Sequence, residues 1–408
     1  MSKQLISDAA TRNPVLILTI ANGAGHIRLA EGIAAAIRTA QPSLPCMVVD
    51  VGEYMTSLAR FTHVSSYLWL VKHAPAIWDR VDRYQKSQRH TSPEWYYRHG
   101  CHRLFDLARR LRPRALIATE VGCCEIAALI KRDLKLNAPL VAVNDDYDAD
   151  RAWVQPEVDL YCFMTNELGE QLIKYGVPRK GLAIWGAPLS AGYEIVRKRE
   201  DERAEICRSL VLDRNLPIVL IAGGGEGLGK IEEITSRLLV LKKPALQLVV
   251  LTGRNERLKS RCERINVNGN SGTCRVLGWV PPEQMPRLMW AADLMVSKLG
   301  SMFHEAIASE LPIIAMEPPP GAERVQYRLL EEWNVGCAVR TLDEVVDRVR
   351  YLLSRPASLE EMRQHSRAHR TVGVSQRIVH WLVETIDEQR RTDFEMNVTT
   401  HLLMASTS

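Results

Sequence analysis

Asn22-Gly23-Ala24-Gly25-His26 follows directly on the apolar run Val15–Ile20. A continuous run of that kind reads as a buried parallel strand, and Leu29, Ile33 and Ile37 then recur at helical spacing. A strand, a glycine loop and a helix therefore deliver an imidazole, a group that exchanges a proton near neutral pH, to the carboxyl end of a sheet. Leu140–Asn144 is a second strand with a polar end, Asn144-Asp145-Asp146. Asp145 offers a carboxylate for the same proton, directly or through His26. In the second half of the chain, Ser301, Glu305, Glu323 and Gln326 follow two further strands, Leu294–Ser297 and Ile313–Met316. Ligands of open parallel sheets bind at the carboxyl ends of the strands, so these four side chains line one cleft. A carboxylate such as Glu305 accepts from neighbouring hydroxyls, which makes the cleft a receptor for a ribose and a sugar.

Pro217–Ala222 is a further buried strand and runs into Gly223-Gly224-Gly225-Glu226-Gly227-Leu228-Gly229-Lys230. A glycine-rich junction between strand and helix is a pyrophosphate cradle on physical grounds. Gly224 to Lys230 also satisfies the start of an NTPase P-loop, but Ile231 stands where a Ser or Thr must hold magnesium. The earlier loop at Gly23 and Gly25 lacks the third glycine of the dinucleotide fingerprint, because Arg28 occupies that place. A nicotinamide dehydrogenase is disfavoured.

The elements that position these groups fit a chain of 408 residues, long enough for two cores of ordinary size. With 46% apolar and 25% charged residues the composition is globular, and no apolar run approaches the ~18 residues of a membrane span. The polar start MSKQLISDAATRNP contains no hydrophobic signal segment, which places the protein at the cytoplasmic face. Nine cysteines are scattered with no C-x-x-C spacing, so they read as reduced core thiols and no metal site is expected. A net charge of +5 is too mild for a nucleic-acid partner but suits anionic lipid or phosphate. Between Met55 and Tyr84 the aromatics Tyr67, Trp69 and Trp78 are interleaved with Lys72, Arg80 and Arg83. That mixture fits an interfacial helix on anionic headgroups, the alternative being two core helices broken at Pro75. The Arg- and His-rich stretch Arg98–Arg114 reads as a solvated helix face.

The block AADLMVSKLG, followed by EAIASELPIIAMEPPPGAE, resembles the donor-binding half of a family of inverting glycosyltransferases. That family includes monogalactosyldiacylglycerol synthases, processive diacylglycerol glucosyltransferases and, more distantly, the N-acetylglucosaminyl transferase of peptidoglycan synthesis (glycosyltransferase family 28). Gly253-Arg254-Asn255, Val276–Val280 and Gly186-Ala187-Pro188 match its motifs in order, and the likeness runs roughly from Val15 to Gly336.

The resemblance implies an α/β protein of GT-B architecture, two doubly wound domains facing a central cleft. It divides the chain into an acceptor-side domain at 14–190 and a UDP-sugar domain at 191–375. A helix at 376–390 returns to the first domain, and a mobile tail follows at 391–408. The donor would be a UDP-hexose held by Gly223, Gly224, Gly225, Gly227, Gly253, Arg254, Asn255, Trp279, Val280, Lys298, Gly300, Ser301, Glu305, Glu323 and Gln326. No tightly bound cofactor is expected, and stimulation by a divalent cation is left open. His26 and Asp145 would share the role of base. The acceptor would be a diacylglycerol-like lipid at an anionic membrane surface, met by Gly23, Gly25, Tyr67, Trp69 and Trp78. The chain departs from the family pattern at three places. Gly300 to Glu305 is one step short, Gln326 replaces an Asn, and Asn144 and Asp150 replace the usual Thr and His around Asp145. A UDP-sugar epimerase and a non-catalytic sugar-nucleotide-binding protein of the same fold remain as rivals, and glucose, galactose and N-acetylglucosamine are not distinguished.

Overall fold

Strands that read as unbroken apolar runs need cover on both faces, and in parallel sheets helices supply it. The computed structural model describes residues 13–21, 24–74, 77–78, 80–81, 84, 93–148, 150–195, 197–267, 273–316 and 324–406. It contains two all-parallel sheets, each of six strands. The first comprises β1 (Val15–Thr19), β2 (Cys46–Asp50), β3 (Ala115–Ala118), β4 (Leu140–Val143), β5 (Leu160–Phe163) and β6 (Leu182–Ile184), in the order β2-β1-β3-β4-β5-β6. The second comprises β7 (Ile218–Ala222), β8 (Gln247–Leu251), β9 (Thr273–Leu277), β10 (Leu294–Ser297), β11 (Ile313–Met316) and β12 (Gly336–Val339), in the order β12-β11-β10-β7-β8-β9.

The strand order reverses direction between β1 and β3 in the first sheet and between β7 and β10 in the second. Such switch points leave a crevice beyond the strand ends, because the connecting helices leave toward opposite faces. The loop after β1 carries His26, and the loops after β7 and β10 carry the Gly223 turn and Ser301. Two crevices, one per domain, are thereby furnished with the polar residues of the sequence.

Alternate residues of β1 serve opposite cores. Leu16 and Leu18 pack with Leu104, Phe105 and Ile126, whereas Val15 and Ile17 pack with Leu29, Ile33 and Ile37. The second of these cores also takes Val374, Ile378, Leu382 and Ile386 from the C-terminal helix, so the end of the chain closes the first domain. Burying an aliphatic side chain completely contributes about 1.5–3 kcal/mol, which makes this docking a strong one.

The charged segment that opens the second domain is a helix, Arg199–Leu210, and it lies against the helix Met285–Ala291. Its amphipathic signal is weak because Cys207 is its one fully buried residue; arginines hold it instead. Arg199 and Arg203 both donate to the Asp293 carboxylate, at 2.9 and 2.8 Å, which also accepts from the Ile218 N–H at 2.8 Å. Gly336–Val339 pairs with β11 as the edge of the second sheet. The last helix runs Val374–Ser406, well past the expected end at 390.

Candidate active site

His26 lies in the first turn of the helix Ala24–Ala40. Its Nδ1 is 3.1 Å from the carbonyl oxygen of Thr119, which follows β3, and 3.4 Å from Asp145 Oδ1, which follows β4. Two acceptors on Nδ1 fix a proton there and leave Nε2 as the nitrogen that can take one. Burial alone would depress the imidazole. The adjoining Asp145 carboxylate, with Asp146 and Glu120 adding, overcomes it and lifts His26 to about 10. Asp145 is likewise pushed up by burial, but His26 and His304 carry it below the usual carboxylate range.

Across the cleft, Gly300 precedes the helix Ser301–Ala308, which presents Ser301, His304 and Glu305. This helix touches the N-terminal domain at three points. A Cβ on Gly25 would stand 2.0 Å from Ser301 Oγ and 3.3 Å from its Cβ, so the absence of a side chain at Gly25 allows the two loops to meet. His304 Nε2 donates to the backbone oxygen of Asp145 at 2.8 Å, and the Tyr147 hydroxyl is 3.3 Å from His304 Nδ1. Burial keeps His304 below its ordinary value and hence neutral, the state in which Nδ1 can accept from Tyr147. Glu305 Oε1 accepts from Arg28 at 2.9 Å, an ion pair between the domains.

The glycine turn after β7 packs on the turn after β8. Gly253 has φ of +61°, its missing Cβ would lie 2.2 Å from the Gly225 oxygen, and that oxygen accepts from the Arg254 N–H at 2.8 Å. Only glycine permits both the left-handed backbone and the approach. Gly224, Gly225, Gly253, Trp279 and Val280 line a small cavity that Arg28 also reaches. The Arg254 guanidinium lies over the Trp279 ring at 3.8 Å. Gly223 and Gly227 complete the turn, with the Leu228 and Gly227 N–H groups closing back on Gly223 and Gly224 oxygens. Ile231 is buried, so the one-residue departure from a P-loop is filled by a core side chain.

Other expected donor residues have structural duties. Asn255 Oδ1 caps the following helix by accepting from the Leu258 N–H at 3.0 Å. Gln326 is buried, and its oxygen accepts from the Gly300 N–H at 2.7 Å, which fixes the turn before Ser301. Lys298 lies half-buried in that same turn. Glu323 and Gly23 fall outside the described residues, as does the side chain of Tyr67.

A cavity of about 500 Å³ adjoins these groups, bounded by Gly25, Arg28, Asp145, Tyr193, Ser301 and Glu305 among others. Four side chains in or around the cleft were not read from the sequence. Arg28 was noticed only as a glycine that is missing. His304 is the neighbour of Glu305 on one helix, and that adjacency was the available signal. Tyr147 lies in the loop after β4 and Tyr193 in the short helix Ala191–Glu194, with no pattern to mark either. Among the described residues no group of three or more His, Cys, Asp and Glu is placed to hold a metal.

In the N-terminal domain, Phe61, Trp69 and Tyr84 are 63%, 59% and 67% exposed, and Trp78 is partly buried. Phe61–Ser65 forms a single π-helical turn before the helix Ser66–His73 that carries Trp69. Among the described residues no helix is long and apolar enough to cross a membrane.

Two doubly wound domains facing each other across a cleft define the GT-B fold. MurG of Acinetobacter baumannii shares it, with a TM-score of 0.57 at 15% identity over 91% of this chain and 100% of that one. Alr3699/HepE of Anabaena, in complex with UDP-glucose, has a TM-score of 0.52 at 12% identity over 92% of this chain and 99% of that one. Within that fold, residues 26–189 match the family described as monogalactosyldiacylglycerol (MGDG) synthase. A processive diacylglycerol beta-glucosyltransferase of Bacillus cereus (strain G9842) is 27% identical over 364 residues, 86% of this chain and 89% of the relative. The kinship read from the sequence motifs is thus found again in the N-terminal half and along most of the chain.

Proposed function

We propose that this protein is an inverting glycosyltransferase that moves a hexose from a UDP-sugar to the hydroxyl of a diacylglycerol-like lipid at an anionic membrane surface. The observation that carries this reading is the meeting of the His26–Asp145 pair with the helix Ser301–Ala308 beside a glycine-lined cavity. A proton acceptor and a nucleotide receptor then flank one point, as a single displacement at an anomeric carbon requires. The relationship to diacylglycerol glycosyltransferases supports the acceptor class.

In this mechanism the uracil lies against Trp279 and Val280, and the ribose diol is received by Glu305. The diphosphate faces the turn Gly223–Gly227 and the N-terminus of the helix Ile231–Leu239, whose N–H groups favour negative charge. His26 Nε2 takes the proton of the acceptor hydroxyl as that oxygen attacks. Asp145 orients the imidazole and stabilises the imidazolium that forms. Charge developing on the departing UDP is met by fixed backbone dipoles, which need no reorganisation during the reaction.

The exposed aromatics suit a lipid surface, because their apolar bodies gain when taken out of water and their flanking arginines remain with headgroups. Trp69→Ala is expected to weaken partitioning to phosphatidylglycerol vesicles roughly tenfold, as loss of one buried aromatic at an interface implies. Sedimentation with vesicles measures it, and undiminished binding would remove this face from the membrane contact.

The reading itself is tested by release of UDP from UDP-glucose, UDP-galactose and UDP-N-acetylglucosamine, with and without diacylglycerol in anionic mixed micelles. Lipid-dependent release from one donor is the expected result, and it names the hexose. Release indifferent to lipid, or none from any donor, would overturn the transferase reading.

A further inference from the structure

Among the described side chains of the first helix, Arg28 alone lines both the small cavity under the glycine turns and the larger one beside Glu305. It starts from the N-terminal domain and reaches 277 positions along the chain to Glu305. The pair is largely buried, at 16% and 5% side-chain exposure, yet it is incompletely bonded. Arg28 Nε is buried without a hydrogen-bond partner among the described residues, and Glu305 Oε2 is buried with no partner at full hydrogen-bonding distance, the Tyr193 hydroxyl facing the carboxylate. Native interiors rarely leave such groups unmatched, and a charged pair that is half satisfied is poorly explained as a structural clasp. The guanidinium also lies 5.3 Å from the Trp279 ring, on whose face Arg254 is already stacked. Two cations therefore converge beside the glycine turns, and among the described residues no carboxylate lines that cavity.

We propose that Arg28 is a donor-site residue with two alternative partners, the Glu305 carboxylate and the diphosphate of a nucleoside diphosphate. This rests on the reading of the cleft as a UDP-sugar site. A ribose diol arriving at Glu305 competes with Arg28 for the same oxygen atoms. The displaced guanidinium has the glycine-turn cavity within its reach and there meets the phosphate oxygens, for which its planar fork is suited. Exchange of one partner for the other ties nucleotide recognition to an N-terminal-domain residue two positions from His26. A nucleoside without phosphates must break the Arg28–Glu305 pair and gives the guanidinium nothing in return. Arg28 thus acts as a selector for the phosphorylated ligand.

The test is calorimetric binding of UDP and of uridine to the wild type, Arg28→Gln and Arg28→Lys, with thermal unfolding of each to establish that it is folded. The wild type is expected to prefer UDP strongly. In Arg28→Gln, UDP should bind more weakly and uridine as well as or better than before, so that the ratio of the two affinities falls by about tenfold or more. Arg28→Lys keeps a point charge without the fork and should fall between the two. An unchanged ratio, or equal loss of both ligands, would overturn the proposal and reduce Arg28 to a clasp between domains. Absence of UDP binding in the wild type would overturn the donor-site reading, and the proposal with it. A folded wild type that binds UDP while Arg28→Gln keeps its full preference would overturn the proposal alone.

Discussion

His26→Ala is expected to slow transfer about 10²–10⁴-fold while leaving UDP affinity unchanged. The imidazole belongs to the N-terminal domain and its hydrogen bonds run to Thr119 and Asp145 of that domain, so removing it takes nothing from the glycine turns or Trp279. The loss should fall on kcat, measured as lipid-dependent UDP release at saturating donor, because the proton is transferred only as the acceptor attacks. Full activity in this variant would move the base to Asp145. The pair also sets the pH dependence. A raised His26 pKa means that the neutral imidazole becomes more abundant as pH rises above 7, so the rate should climb on the alkaline side. In Asp145→Asn the largest attraction is gone while burial remains, with only Asp146 and Glu120 still opposing it, which lowers the imidazole toward its ordinary value. The rising limb should then move to lower pH, with a lower plateau because the imidazole is no longer held or stabilised as it charges. A limb that stays in place would show that His26 is not the group titrating.

Much of this site could be read from the chain because parallel strands are legible as short apolar runs. β10 and β11 end where the sequence places them, at Ser297 and Met316, since the apolar run stops there and polar turn residues follow. Once strand ends are known, the switch-point rule brings His26 and Asp145 to the edge of one sheet and Ser301 and Glu305 to the edge of the other without any side-chain detail. What the chain could not show was which of these groups already hold each other. Arg28 carries no local signal for a partner in the other domain, and His304 looks like one more residue of an apolar helix. The same reason explains Gln326 and Asn255, which a motif presents as sugar contacts and the structure commits to Gly300 and to a helix cap. β12 escaped notice because Gly336-Cys337-Ala338-Val339 is short and opens on a glycine, a poor strand former.

The helix Arg199–Leu210 failed to announce itself for a different reason, and this leads to the largest expected effect on stability. Its residues are mostly charged, so hydrophobic periodicity gives no helix, and its attachment is electrostatic. Asp293, just before β10, gathers Arg199 and Arg203, with Arg363 a further 3.6 Å contact, and accepts the first N–H of β7. Burial alone would push its carboxyl up, but these arginines hold it below the usual carboxylate range. Asp293→Ala removes the carboxylate that three partly buried guanidinium groups share, leaving them their backbone acceptors, and frees the start of the central strand. The expected cost is about 3 kcal/mol, the lower end for breaking a buried pair, because some water reaches this cluster. Asp293→Asn keeps an acceptor for the Ile218 N–H and should cost less. Since the folded pKa is lowered, the stabilisation is complete above the unfolded value near 3.8 and is lost as pH falls through the folded one, so the full difference stands at pH 7. Urea unfolding at that pH, followed by far-UV circular dichroism, should show the midpoint of the C-terminal domain falling in Asp293→Ala with its slope preserved. A change below about 1 kcal/mol would mean that packing on Met285–Ala291 holds the helix and that the arginines are only neighbours.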